Sequence, residues 1–349
     1  MEEKMMNRRV YCEFNFLKVF VNNIPKHNDI PQHRDPYSSW RKMYRFLSKS
    51  SIFLDITKLQ LLEECKRNPI LLKLYTSNPN FQCLGTKFPY IQKLDKDNIN
   101  EHYRFFSIFL TNSNKRIREE ISSNLGIIIL GKSDITHYED LFKEYTIPIP
   151  KNSIISWSKM PFKEFVKKSN SMIIVDNYIL DDTKLYKNNF QPLLENLLPD
   201  NSDMVYHLTI LGKLTGTIKS KTKEDAKLRF DKTDRILSEI CKEKENLQYN
   251  YSIYDSIEFH DRIIITNNVW IDCGAGFNLI GLYGRTDKRT NVRIAYPFMS
   301  TSEQDWVNEA FCFLLSDCIE EVQVKNGKGS WGDVTIENRL LSLKKLLND

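Results

Sequence analysis

The residues whose types and spacing suit chemistry on a phosphate lie in one short segment of the C-terminal half. His260 and Arg262 stand two positions apart, and Asn267 follows five positions later. A glycine-containing turn then supplies Gly274 and Asn278. A histidine is suited to nucleophilic or proton-transfer work near neutral pH, and an arginine clamps a phosphate through two parallel hydrogen bonds. The segment therefore predicts a site for a phosphate-containing ligand.

The order of these residues resembles the signature of the phospholipase D superfamily. That signature is a His-x-Lys pair followed by four residues and an Asp, then by six residues and a Gly-Ser-x-x-Asn turn. In this chain Arg262 stands in place of the lysine, Asn267 in place of the aspartate and Ala275 in place of the serine. The resemblance implies that His260 is the nucleophile and that the arginine, the glycine and both asparagines named above bind the substrate phosphate.

Two of these replacements decide between catalysis and binding. Arg262 keeps the positive charge that holds a phosphate. Asn267 accepts a hydrogen bond but brings no negative charge with which to orient and charge a catalytic histidine. Because one copy of the signature is visible, over roughly residues 169–315, catalysis would also need a dimer in which two His260 side chains meet. The pattern favours a phosphate-binding domain, with a metal-independent nuclease that uses His260 as the alternative.

A group of basic residues follows the glycine turn directly. Its members are Arg285, Lys288, Arg289 and Arg293. Because the group would lie beside the same cleft as the histidine, we expect Arg285 and Arg289 to bind phosphate as well. The lysine-rich segment 213–245 is less specific, because acidic residues are interspersed among its basic ones, and this pattern is typical of a solvated helix face.

Polar residues also follow strand-like runs in the N-terminal half. Glu13 follows "RRVYC", Asp55 follows "SIFL" and Ser113 lies just beyond "SIFLT". The first and last of these runs resemble PIN-like nuclease domains, whose first strand typically ends in Asp-x-Asn and whose fourth ends in Thr-Asn-Asp. The resemblance implies carboxylates that hold Mg²⁺ or Mn²⁺ and activate water, with Glu13 and Asp55 as candidates. The chain departs from this pattern in having Glu13 for the first Asp and Ser113 for the last.

The elements that would position these groups alternate between strand and helix in both halves. Continuous apolar runs such as "GIIIL" are typical of buried parallel strands, and the segments between them have helical spacing, with Thr57 as a cap and Gly126 as a stop. This alternation predicts two α/β domains. The two resemblances imply that they are a PIN-like parallel-sheet domain over 1–150 and a phospholipase D-like mixed-sheet domain with C-terminal helices over 169–349. Three prolines near the join predict a linker over 151–168.

The bulk composition is that of a globular protein, with 41% hydrophobic and 27% charged residues in a chain of 349. A chain of this length usually forms two domains. Its seven cysteines have no metal-binding spacing, which predicts reduced thiols in a cytoplasm. No apolar run approaches the length that spans a membrane. The net charge of +5 permits a nucleic-acid partner without requiring one.

Together these features predict a cytoplasmic, bacterial protein that binds nucleic acid or is related to nucleases. The two resemblances imply a setting in an antiviral defence or toxin assembly, as a homo-oligomer or a subunit of a larger complex. We expect no cofactor other than Mg²⁺ or Mn²⁺ in the N-terminal domain. A scaffold that binds lipid headgroups or a partner protein is a further alternative, since some degenerate phospholipase D-like domains bind lipid.

Overall fold

The structure is a computed structural model, and it describes most of the chain. The described residues are 9–25, 36–99, 107–132, 134, 144–166, 168–180, 184–200, 202–213, 223–244, 247–255, 262–296, 318, 330–334 and 338–341. His260 lies outside them, as does most of the segment 301–322, for which the sequence predicts a helix.

Internal contacts divide the chain into two compact units. The first comprises Met1–Lys143 with Tyr296–Ala310, and the second comprises Glu144–Ala295 with Phe311–Asp349. Each unit has its own β-sheet, with five strands in the first and eight in the second among the described residues. Helices accompany both sheets. The predicted fold class, two α/β domains with a parallel and a mixed sheet, is confirmed.

The first unit contains a wholly parallel sheet in the spatial order β3-β2-β1-β4-β5. Its strands are Arg9–Cys12 (β1), Ser51–Leu54 (β2), Phe81–Cys83 (β3), Ser107–Thr111 (β4) and Ile128–Gly131 (β5). Its helices are Phe14–Asn22 (α1), Pro36–Ser48 (α2), Lys58–Arg67 (α3), Pro69–Ser77 (α4) and Lys115–Leu125 (α5). The chain leaves β1 toward β2 and returns on the other side at β4. The strand order therefore reverses between β1 and β4, where the carboxyl ends of such sheets form a crevice.

Local signals explain where these helices begin and end. Thr57 caps α3, with its hydroxyl accepting from the backbone of Gln60 while the Gln60 side chain accepts from the Thr57 N–H. Asn68 caps α4 and precedes Pro69, which suits the first helical position. Gly126 ends α5 at φ +65°, in the left-handed region that glycine adopts without strain. The predicted cap at Thr57 and stop at Gly126 are confirmed.

The second unit contains a mixed sheet in the order β13-β9-β8-β7-β10-β11-β12-β6. Its strands are Tyr145–Ile149 (β6), Ser171–Val175 (β7), Tyr206–Gly212 (β8), Tyr249–Asp255 (β9), Ile263–Thr266 (β10), Trp270–Cys273 (β11), Thr290–Ala295 (β12) and Ser330–Gly332 (β13). Its helices are Phe162–Val166 (α6), Phe190–Leu197 (α7) and Lys223–Glu243 (α8). Strands β7, β8 and β9 are parallel, and the remaining neighbours are antiparallel. The strand direction changes between β7 and β10, which places the end of β7 next to the start of β10.

The division between the units differs from the predicted one. It falls between Lys143 and Glu144, not at 150, because β6 pairs with β12 and so belongs to the second sheet. The described part of 151–168 packs on the second unit instead of linking two domains. Trp157 is fully buried there, and its Nε1 donates to the carbonyl of Phe277 at 2.9 Å. Pro161, the one proline within 151–168, therefore lies in a packed segment, some of whose hydrogen-bond partners lie more than a hundred residues away.

Among the described residues, no helix is both long enough and apolar enough to cross a membrane.

Candidate functional site

Asp176 ties the end of β7 to the glycine turn that the sequence singles out. The residue directly follows β7 and is 0% exposed. Its Oδ1 accepts from the N–H of Tyr178 at 2.8 Å, and its Oδ2 accepts from the N–H of Phe277 at 2.7 Å. Burial raises the pKa of Asp176, while these two donors and the positive charge of Arg262 act in the opposite direction. Both carboxylate oxygens of Asp176 are therefore occupied by hydrogen bonds within the protein.

Arg262 lies at the same edge of the sheet, directly before β10. Because Ile263 pairs with Val175, Arg262 stands beside the residue that follows β7. Its Nη1 donates to the carbonyl of Gly274 at 2.7 Å, and its guanidinium carbon lies 5.4 Å from the ring centroid of Tyr178. Its Nε is buried, and no described residue supplies it with an acceptor. These contacts fix the direction of the guanidinium group.

A second cation reaches the same ring from the end of β8. Lys213 directly follows that strand, and its Nζ lies 5.5 Å from the ring centroid of Tyr178. Tyr178 is 39% exposed, so this group faces solvent. We call Asp176, Tyr178, Lys213, Arg262 and Asn278 the basic edge. Two cations meet at the ring of Tyr178, and the carboxylate of Asp176 below it is buried and accepts two backbone hydrogen bonds.

The glycine turn shapes the basic edge at Gly276. This residue has φ +88°, and a Cβ there would lie 2.8 Å from Cδ of Arg262 and 3.1 Å from Oδ2 of Asp176. Asn278 then donates through Nδ2 to the carbonyl of Tyr178 at 3.0 Å. A Cβ on the predicted residue Gly274 would meet only Thr290 Oγ1, at an ordinary 3.6 Å. Close approach therefore requires glycine at 276, which sequence reasoning did not single out.

The other predicted residues of the second unit fall into three positions. His260 lies outside the described residues. Asn267 lies in the turn after β10, five residues and therefore about 16 Å from Arg262. It is buried, and its Oδ1 accepts from the N–H of Asn170 at 2.9 Å. The structure does not bring Asn267 to the basic edge, and its predicted role in phosphate binding is not tested.

Arg285 and Arg289 lie in the connection that leaves this edge after β11 and returns at β12. Both side chains are exposed. Arg293 differs from them, because its guanidinium pairs with the carboxylate of Asp272 on the neighbouring strand. The predicted group therefore contains exposed cations and one cation that is already neutralised.

The corresponding edge of the first unit is acidic. Glu13 follows β1 and reaches across the switch point to the end of β4, where its Oε1 accepts from the hydroxyl of Thr111 at 2.6 Å and its Oε2 from the N–H of Asn112 at 3.1 Å. Asp55 follows β2, and its Oδ1 accepts from the N–H of Phe14 at 2.7 Å, which caps α1. The structure thus places both predicted carboxylates at one edge.

Hydroxyl groups surround these two carboxylates. Tyr90 donates to Oδ2 of Asp55 at 3.1 Å, and burial, followed by this hydrogen bond, raises the pKa of the tyrosine. Ser113 Oγ lies 3.0 Å from Thr111 Oγ1. We call Glu13, Asp55, Tyr90, Thr111 and Ser113 the acidic edge. Each carboxylate oxygen accepts a hydrogen bond from the protein, yet an oxygen of this kind keeps a second lone pair for a cation.

The acidic edge offers only a partial set of metal ligands. Within the part of the chain that the structure describes, no group of three or more His, Cys, Asp or Glu side chains is placed to hold a metal ion. Mg²⁺ is often bound through one or two carboxylates while it keeps several waters. Glu13 and Asp55 fit that open mode of binding and do not form a closed cage.

Comparison with known proteins gives no family assignment. No family model matches the chain, and no curated protein does. Among solved structures, TrmBL2, an archaeal chromatin protein with a novel mode of DNA binding, is 13% identical over 51% of this chain and 52% of its own, with a TM-score of 0.25. The chain thus spans about half the length of that protein. The phosphatidylserine synthase of Haemophilus influenzae Rd KW20 is 12% identical over 98% of this chain and 88% of its own, with a TM-score of 0.29. Scores this low carry no inference about function.

Proposed function

We propose that this protein binds nucleic acid through phosphate contacts at the basic edge of its second unit. The observation that carries the proposal is the meeting of two cations, Arg262 and Lys213, at the exposed ring of Tyr178. The nearby carboxylate of Asp176 is buried and accepts two backbone hydrogen bonds. At the ring of Tyr178 two cations are therefore available to a ligand while the carboxylate of Asp176 is not; Asp255, the last residue of β9, is a further carboxylate at this edge.

The guanidinium of Arg262 suits a phosphate because it is already oriented. Its Nη1 is held by the Gly274 carbonyl, and among the described residues its Nη2 has no acceptor. The planar guanidinium of arginine matches two phosphate oxygens better than a single point charge does. A guanidinium held in place loses less conformational entropy on binding than a mobile one. Lys213 would add a second, less directional cation.

A nucleic acid, rather than a small phosphate, fits the wider distribution of charge. Arg285, Lys288 and Arg289 are exposed in the connection that starts and ends at this same edge. A polymer with regularly spaced phosphates can contact both groups of cations at once, and each contact releases a bound counterion. We propose a bacterial defence or toxin assembly as the setting of this binding.

Fluorescence anisotropy with labelled single-stranded DNA, single-stranded RNA and duplex DNA tests this proposal. We expect Arg262→Ala to weaken binding about tenfold or more and to reduce the slope of log K against log salt by about 1. Arg67→Ala is the matched control, because Arg67 is an exposed arginine in the first unit. Equal affinities for the wild type and Arg262→Ala, or no binding to any of the three ligands, would refute the proposal.

A second candidate function is metal-assisted hydrolysis of a phosphodiester at the acidic edge. It is favoured by the position of Glu13 at the switch point, with Asp55 at the same edge of the parallel sheet. Mg²⁺ or Mn²⁺ held by these residues would supply an activated water. Differential scanning fluorimetry tests cation binding directly. Millimolar Mn²⁺ should raise the melting temperature by about 2–4 °C, and Glu13→Gln should remove the shift.

Cleavage assays separate the two catalytic alternatives. Hydrolysis that needs Mn²⁺ and is lost in Glu13→Gln supports the acidic edge. Hydrolysis that persists in EDTA and is lost in His260→Ala supports the metal-independent alternative implied by the sequence signature. Binding without hydrolysis under either condition leaves the phosphate-binding proposal as the account of this protein.

A further inference from the structure

A hairpin between β11 and β12 projects apolar side chains into solvent. We call Leu279–Asp287 the tip hairpin. Its arms are joined by hydrogen bonds from the N–H of Asp287 to the carbonyl of Leu279 at 3.2 Å and from the N–H of Gly281 to the carbonyl of Arg285 at 2.9 Å. Gly284 closes the turn at φ +70°, a conformation that favours glycine. The backbone of the tip is therefore well defined.

The base of the tip hairpin is anchored in the second unit by buried polar groups. The amide of Asn189 holds Ile280 on both sides, accepting from its N–H at 2.8 Å and donating to its carbonyl at 2.7 Å. Thr286 is buried, and its hydroxyl donates to the carbonyl of Pro150 at 2.7 Å. Its N–H also donates to the carbonyl of Ser153 at 2.9 Å. This double anchoring presents the tip on a rigid support.

The tip displays an aromatic ring that nothing in the described structure covers. Tyr283 is 92% exposed and Leu282 is 65% exposed. Arg285, Lys288 and Arg289 are exposed as well, and none of the three forms an ion pair with a described residue. The tip thus combines two adjacent exposed apolar side chains with exposed cations that follow within six residues, the two kinds of group that a single-stranded nucleic acid contacts.

We propose that Tyr283 stacks on an unpaired base of a single-stranded nucleic acid while Arg285, Lys288 and Arg289 contact its backbone. The inference rests on the proposed function and names its substrate class. Base faces are hidden in a duplex, whereas a single strand offers them to aromatic side chains. Tyr178 is less suited to this role, because two cations already lie against its ring.

The position of the tip hairpin supports a continuous path for a bound single-stranded nucleic acid. The hairpin begins one residue after Asn278, which belongs to the basic edge. Its return strand is tied back to the glycine turn, because Ala275 donates through its N–H to the hydroxyl of Thr290 at 3.1 Å. One single-stranded nucleic acid can therefore contact Arg262 through a phosphate and Tyr283 through a base.

Anisotropy with two labelled oligonucleotides tests the stacking contact. One is single-stranded DNA and the other has the same length and backbone but carries abasic sites in place of bases. We expect Tyr283→Ala to weaken binding of the normal strand about tenfold and to leave the abasic strand within twofold. Tyr283→Phe keeps the ring, so it should bind like the wild type. Because the side chain is exposed, none of these variants should alter the melting temperature.

Three outcomes would overturn the inference. They are an unchanged affinity of Tyr283→Ala for the normal strand, an equal loss on the abasic strand, and binding of duplex DNA that depends on Tyr283 to the same degree. Sedimentation with phosphatidylserine vesicles supplies a fourth, since vesicle binding lost in Leu282→Ala and Tyr283→Ala, with oligonucleotide binding intact, would assign the tip to a membrane surface. Arg262→Ala in parallel keeps the two proposals apart. A loss in Arg262→Ala without a loss in Tyr283→Ala refutes only the stacking contact.

Discussion

The carboxyl edges of the two sheets begin from the same arrangement and end with opposite charge. In both units a carboxylate follows a buried parallel strand, Glu13 after β1 and Asp176 after β7. Glu13 stays half-buried and accepts hydrogen bonds from Thr111 and Asn112 across the switch point. Asp176 is buried completely and bonds to the backbone of the glycine turn. The carboxylate defines the charge of the first edge, whereas in the second it holds a scaffold for cations.

This difference shows that a strand-end carboxylate has no fixed meaning. Where its oxygens remain near solvent, it can serve a metal ion or a water molecule. Where they are buried against backbone N–H groups, it sets the geometry of its neighbours. The number and direction of the donors around the carboxylate decide between these roles, and both are visible only in three dimensions.

The largest expected effect is a loss of folding stability, which should be greater for Asp176 at the basic edge than for Asp55 at the acidic edge. Asp176→Ala leaves one buried and one partly buried N–H group unpaired, so we expect it to lower the free energy of unfolding by about 3–4 kcal/mol. Asp55→Ala removes the cap of α1 at the acidic edge and should cost about 1–2 kcal/mol. Urea denaturation followed by circular dichroism measures both. Equal costs, or a larger cost for Asp55→Ala, would mean that the buried carboxylate does not hold the basic edge.

Substitution of one glycine in each unit tests the same comparison, with a smaller expected effect on stability. Gly276 and Gly85 both have positive φ angles, but a Cβ on Gly85 would meet nothing within 4 Å. Gly85→Ala should therefore cost only the backbone strain of about 1 kcal/mol. Gly276→Ala should cost about 1–2 kcal/mol more, because its Cβ displaces Arg262. It should also weaken binding of the oligonucleotide, and an affinity equal to that of Gly85→Ala would contradict the account.

The sequence predicts the secondary-structure elements and some of the residues at each edge. Hydrophobic runs, the cap at Thr57 and the stop at Gly126 predict the α/β class, because these signals are local. Arg262, Gly274 and Asn278 were singled out by their spacing, and the structure brings all three together. Asn267 followed the same spacing but lies at the far end of β10.

Other features depend on pairings that no local pattern reveals. Lys213 reaches the basic edge because β8 lies beside β7, and nothing in the sequence around it distinguishes it from other lysines. The contact division between Lys143 and Glu144 depends on the pairing of β6 with β12, which lies about 140 residues later. Asn68 and Pro69 together form a standard start for α4, which the sequence analysis did not single out. That signal was available in the sequence.

The smallest expected effect concerns pH and the opposite edge of the second sheet. Burial lowers the pKa of His207 on β8 to about 4, and the positive charge of Arg339 adds to this shift. The folded state therefore binds fewer protons than the unfolded state between pH 4 and 6.5. This contribution to stability is complete above pH 6.5 and is lost as the pH falls through that window.

Comparison of wild type with His207→Asn isolates this contribution. Between pH 7 and pH 4 the wild type should lose about 1–2 kcal/mol more unfolding free energy than the variant, after allowance for the partial exposure of the side chain. Urea unfolding at several pH values measures the difference. Parallel pH profiles for the two proteins would show that His207 is not held neutral by its surroundings. Neither carboxyl edge should be affected by this substitution.

The most direct test of the central claim compares one residue from each edge in a single binding assay. Anisotropy of a labelled single-stranded oligonucleotide is measured in EDTA for Arg262→Ala and Glu13→Ala. The account predicts that Arg262→Ala raises the dissociation constant about tenfold or more, while Glu13→Ala changes it by less than twofold. Loss of binding in Glu13→Ala together with normal binding in Arg262→Ala would contradict it and would place the ligand at the acidic edge.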